Sequence, residues 1–130
     1  MKIKSAEILC VGTEILIGDI VNTNAAFISQ RLAQLGINQY YQAVVGDNPA
    51  RLKDAVSAAL KRTDLLIMSG GLGPTYDDLT KETVAECMGR KLILDQRSLD
   101  RIKNRFAFRE QCMTPNNEAG VYSAGLHYIR

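Results

Sequence analysis

Leu65-Leu66-Ile67-Met68-Ser69-Gly70-Gly71-Leu72-Gly73-Pro74-Thr75-Tyr76-Asp77-Asp78-Leu79-Thr80 reads as a strand, a glycine-rich loop and the opening of a helix. Leu65 to Met68 is short and apolar throughout, as expected of a central parallel strand covered by helices on both faces. Thr80 is the expected N-cap of the helix and Gly89 its expected stop. A strand that breaks into a loop and then a helix is half of a βαβ unit, so units of the same kind are sought on either side.

Two lie upstream. Ile8 to Val11 is a buried-strand pattern ending in the loop residues Gly12-Thr13-Glu14; beyond Gly18, Asn22-Thr23-Asn24 supplies cap-type residues. The helix that follows places Ala25, Ile28, Leu32 and Leu35 on one face and ends at Gly36. Ile37 to Val45 has the tyrosines and valines of a strand. Gly46-Asp47-Asn48-Pro49 interrupts it with an Asn cap and a proline at the first helical position, before Leu52, Ala55, Val56, Ala59 and Leu60 recur at helical spacing. Downstream, Leu92 to Leu94 is a small strand or an extended connection, and Asp95 caps a helix expected to bury Leu99, Ile102 and Phe106.

Three alternations of strand and helix predict an α/β fold with a mainly parallel sheet and right-handed crossovers. Ligands of such folds bind beyond the carboxyl ends of the strands. Thr13 and Glu14, Asp47 and Asn48, and the glycine loop with Asp77 and Asp78 are therefore expected to gather on one edge.

The 130 residues suit one domain, and 46% hydrophobic with 23% charged residues excludes a disordered, rod-like or collagenous chain. A net charge of +2 predicts neither a nucleic-acid nor a membrane partner. Arg97, Arg101, Lys103, Arg105 and Arg109 read as a solvated helix face. Cys10, Cys87 and Cys112 are too dispersed for a disulfide framework or zinc site; Cys10 and Cys87 read as core thiols. His127, the single histidine, sits near the C-terminus, away from any catalytic pattern. With neither an apolar spanning segment nor a secretory signal, the cytoplasm is the expected compartment.

Gly70, Gly71 and Gly73 allow backbone N–H groups to approach a phosphate, and a helix starting at Thr80 adds unpaired donors, although a tight turn without a ligand uses the same residues. The loop lacks the lysine of a Walker A motif and the spacing of a dinucleotide fingerprint. Asp77 and Asp78 could hold a magnesium ion that bridges phosphate oxygens; equally, two acids before a helix stabilise its N-terminus. Glu14 follows a strand rather than opening a helix, and a loop-exposed acid is the plainer account of it.

Val11 to Ile20 (VGTEILIGDI), Asn22-Thr23-Asn24, Val45-Gly46-Asp47, Gly70 to Thr80 (GGLGPTYDDLT) and Met113-Thr114-Pro115-Asn116-Asn117 together resemble the N-terminal domain of the CinA (competence/damage-inducible) family. The resemblance covers nearly all of residues 1–117 and implies a three-layer α/β/α fold, similar to the molybdopterin-binding domains of molybdenum-cofactor biosynthesis proteins. It implies a nucleotide-diphosphate-sugar or molybdopterin-like ligand, divalent-metal-dependent ADP-ribose pyrophosphatase activity yielding AMP and ribose 5-phosphate, a monovalent cation as a further cofactor, and a homo-oligomer. Gly70, Gly71, Gly73 and Thr75 would cradle phosphate, Asp78 and Asp77 would hold the metal, and Thr13, Glu14, Asp47 and Asn48 would line the pocket. A nicotinamide mononucleotide deamidase domain, common in full-length members, is not expected here. Residues 118–130 depart from the family pattern, which usually continues with a further strand and pocket loop, so C-terminal elements are expected to be missing. A binding module without turnover is the alternative expectation, and a folded fragment with neither property a third.

Overall fold

The computed structural model describes residues 2–73, 78–109, 112–115 and 122–123. In chain order they form β1 (Ser5–Val11), α1 (Thr13–Leu16), α2 (Thr23–Gln34), β2 (Asn38–Val45), α3 (Pro49–Leu60), β3 (Leu65–Ser69), α4 (Thr80–Cys87), β4 (Ile93–Leu94), α5 (Gln96–Phe108) and β5 (Tyr122–Ser123). β1, β2 and β3 make a parallel sheet in the order β2-β1-β3, and β4 pairs with β5 antiparallel.

The helix signals written in the sequence operate as local chemistry predicts. Asn22, Asn48 and Asp95 each accept a backbone N–H three residues on, from Ala25, Arg51 and Ser98 at 3.2, 3.0 and 2.9 Å. Pro49 occupies the first helical position of α3.

Alternation along β1 builds two cores. Ala6, Ile8 and Cys10 face Ala25 and Leu32 of α2, whereas Leu9 and Val11 face Leu52 and Val56 of α3, with Val84 and Cys87 of α4 packed on the same side. Helices thus cover both faces of the sheet.

Several expectations are corrected by this packing. The central strand is β1, buried on both faces, not Leu65–Met68: β3 lies at an edge of the sheet among the described residues and is only partly buried. Leu35 is 73% exposed because it is the C-cap of α2, beyond the last turn of the apolar stripe. Of the α5 stripe only Leu99 is fully buried, Ile102 and Phe106 being partly so; Arg97, Arg101, Lys103, Arg105 and Arg109 are exposed, as expected. Cys10 is buried, while Cys87 is only partly so.

Thr80 is not an N-cap. Leu79 takes that position without a side-chain bond, and Thr80, 2% exposed, turns its hydroxyl into the glycine loop. Gly12-Thr13-Glu14, expected as loop, instead runs into the single turn of α1, with Gly12 at its N-cap.

At the opposite end of the sheet, Glu7 is 2% exposed in the central strand, and Arg62 reaches it with Nε and Nη2 at 2.9 and 2.6 Å. The guanidinium also stacks over Tyr41, 3.9 Å from the ring centroid. A buried carboxylate is costly unless it is paired and hydrogen-bonded, and the bidentate guanidinium supplies both.

Candidate functional site

The strands end together. Cys10 pairs with Ser69 and Val11 with Val45, so the three loops that follow leave from one edge. After β1 the chain passes to α2 on one face; after β3 it passes to α4 on the other. The loops therefore diverge between β1 and β3, the topological switch point at which an open α/β sheet presents a crevice.

β3 enters that edge through glycines whose conformations other residues rarely adopt: φ is 96° at Gly70 and 61° at Gly71. A Cβ on Gly70 would overlap the Val11 carbonyl oxygen, and one on Gly71 would overlap Thr80 Oγ1. Gly73 has a different neighbour, since a Cβ there would lie 2.5 Å from Asp78 Oδ2. Thr80 Oγ1 donates to the Gly70 carbonyl at 3.0 Å and Thr80 N–H to the Gly71 carbonyl at 3.2 Å. The loop is thereby folded onto the start of α4 with the Asp78 carboxylate against Gly73.

Thr13 and Asp47 do meet, across the loops of β1 and β2. Asp47 Oδ2 accepts from Thr13 N–H at 3.0 Å and from Thr13 Oγ1 at 2.9 Å, and Asp47 N–H donates back to Thr13 Oγ1 at 3.1 Å. Their polar groups brace two loops together. Asn48 Oδ1 is committed to the Arg51 N–H at the start of α3, which makes it a cap. Glu14 is exposed, with its carboxylate folded back over Gly12: a Cβ there would lie 2.5 Å from Glu14 Oε1.

Thr75 and Asp77 lie outside the described residues. Among the described residues no three His, Cys, Asp or Glu side chains are grouped so as to hold an ion. A magnesium ion bound through one or two carboxylates and substrate phosphates needs no such cage, so the Asp78 carboxylate beside a glycine loop fits a metal that arrives with its ligand.

The family described as "probable molybdopterin binding domain" matches residues 7–123. A competence-damage inducible protein of Acetivibrio thermocellus is 59% identical over 118 residues, 91% of this chain and 29% of that protein. A solved CinA of Thermoplasma acidophilum, described as of unknown function, is 39% identical with a TM-score of 0.85, covering 95% of this chain and 72% of that one. The chain belongs to the CinA family. A molybdopterin biosynthesis Mog protein of Mycobacterium ulcerans is 28% identical with a TM-score of 0.59, covering 71% and 57%. This CinA domain thus has the expected molybdopterin-binding-like α/β fold, and it spans less than a third of the length of the Acetivibrio relative. No helix among its described residues is long and apolar enough to cross a membrane.

Sequence reasoning missed three polar residues of the crevice in this CinA domain. Asn24 Nδ2 donates to Ser69 Oγ at 3.1 Å, joining the first turn of α2 to the end of β3. Thr80, read as a cap, shapes the glycine loop instead. The signal for Asn24 was its place in Asn22-Thr23-Asn24, where one cap accounts for only one of the two asparagines.

Proposed function

We propose that this domain binds a diphosphate-bearing nucleotide or pterin ligand in the crevice between the β1 and β3 loops, and hydrolyses ADP-ribose to AMP and ribose 5-phosphate with a divalent ion. The observation that carries this reading is the glycine loop at the switch point, folded onto α4 with Asp78 against Gly73. Thr80 takes the Gly70 and Gly71 carbonyls inward, which favours presentation of loop N–H groups to phosphate oxygens. Gly73, Thr75 and the start of α4 would extend that cradle, and Asp78 with Asp77 would hold the ion. When bound, the ion would offset diphosphate charge and lower the pKa of the attacking water. One water is consumed: its oxygen joins one phosphorus as the bridging P–O bond breaks, and its protons leave to solvent and product.

Thr13 and Asp47 enter as a brace that fixes the crevice wall, and Glu14 as an acid at its mouth. The self-association that belongs to this reading predicts a sedimenting particle heavier than the 14.4 kDa chain.

A binding module without turnover is the second reading. It is favoured by the structural commitments of two expected pocket residues, Asp47 being bonded to Thr13 and Asn48 capping α3. AMP formation from ADP-ribose with magnesium, manganese or cobalt decides between the two, run beside calorimetry with ADP-ribose and molybdopterin. Product that disappears in Asp78→Asn, with the fold intact by circular dichroism, supports the enzyme. Binding without product under every metal supports the module. Turnover unchanged in Asp78→Asn removes the metal role from that residue.

A further inference from the structure

Asn24 and Ser69 are tied to each other, yet neither is used up. Among the described residues Ser69 Oγ accepts from Asn24 and retains its own proton to donate, and Asn24 retains a second amide proton and its Oδ1 acceptor. Ser69 directly precedes Gly70, so the pair stands beside the glycine loop, on the side from which α2 begins.

Asn22 adds an independent sign. Its Oδ1 accepts from the Ala25 N–H at 3.2 Å and from the Cys10 thiol at 3.6 Å, which fixes the amide orientation and leaves Nδ2 buried without a hydrogen-bond partner among the described residues. Unmet buried donors are rare, and they commonly mark the place of a water or ligand acceptor.

All three side chains are uncharged. Phosphate oxygens only accept and gain most from cations and N–H groups, whereas alcohol hydroxyls both donate and accept, as Ser69 and Asn24 do. A vicinal diol would satisfy both at once. We propose that Asn24 and Ser69 form a sugar-hydroxyl subsite that takes the diol of a ribose attached to the diphosphate, with Asn22 as the positioning residue for that turn of α2. This rests on the diphosphate-binding reading above and deepens it.

Calorimetry on the intact chain with ADP-ribose and, separately, with magnesium pyrophosphate tests it. Asn24→Ala and Ser69→Ala should each weaken ADP-ribose binding about tenfold, the loss of a hydrogen bond, and leave pyrophosphate binding unchanged. Ser69→Thr, which keeps the hydroxyl, should restore discrimination between the two ligands. Equal weakening of both ligands would overturn the subsite and make the pair a latch between loops. Unchanged ADP-ribose binding would overturn it by placing the sugar elsewhere. If the unmodified chain binds neither ligand, the diphosphate reading itself falls, and the subsite with it.

Discussion

Gly70 shows how little a single methyl group needs to do. In Gly70→Ala the new Cβ would overlap the Val11 carbonyl while the backbone holds a φ of 96°, so backbone strain alone should cost about 1–3 kcal/mol, read as a lower denaturant midpoint. Gly18→Ala makes the control: its φ is also positive, at 84°, but nothing lies within 4 Å of the added carbon, so its loss should be smaller. Asp64 offers a pH signature at the other end of the molecule. It accepts from the Lys4 and Ser5 N–H groups, both at 3.0 Å, and from Ser5 Oγ at 3.2 Å; the two backbone bonds hold its carboxyl below the usual range. The folded state therefore favours the ionised form, so this contribution is present above the unfolded pKa and fades as pH falls through the folded one. Asp64→Asn should flatten the acid limb of a stability-against-pH curve while lowering the plateau near neutrality. The glycines were legible in the sequence because their chemistry is local. The Asp64 clasp was not, because its partners lie about sixty positions away.

Elements are held by contacts whose worth differs sharply with burial. Leu52 is 2% exposed and joins α3 to β1, so Leu52→Ala should cost about 2–5 kcal/mol by chemical denaturation. The Lys53–Glu86 ion pair between α3 and α4 is exposed on both sides, and its removal should barely move the same midpoint. Arg62 spans the two cases, since its own side chain is 40% exposed while the Glu7 it pairs with is buried. Arg62→Met should lower the melting temperature, and adding Glu7→Leu should recover part of that loss, because the single change strands a buried carboxylate and the double one removes it. Strand order among the described residues was hidden because Ile8–Val11 and Leu65–Met68 are both short, unbroken apolar runs, so hydropathy does not say which one is paired on both edges. The caps at Asn22, Asn48 and Asp95 were readable because each acts within three residues; Thr80 was misread because its partner, Gly70, sits ten residues back.

Across the whole molecule, protection should follow the sheet. β1 is paired on both edges and covered on both faces, so amides at Ile8, Leu9 and Cys10 should exchange with deuterium more slowly than those of β2 or β3, as peptide mass spectrometry can read. A β1 exchanging as fast as β3 would contradict the strand order. The convergence of the three loops on one edge followed from counting βα units in the sequence, since parallel strands joined by crossovers must end on the same side. Which side chains meet there did not follow, because Thr13 with Asp47 and Asn24 with Ser69 depend on register between strands far apart in the chain. The tight approach of Gly70 to Val11 and of Gly71 to Thr80 has a genetic counterpart. In a library carrying every substitution at every position, intolerance would not stop at the buried strand but would run out along this rim, leaving two partly exposed positions as depleted as the core.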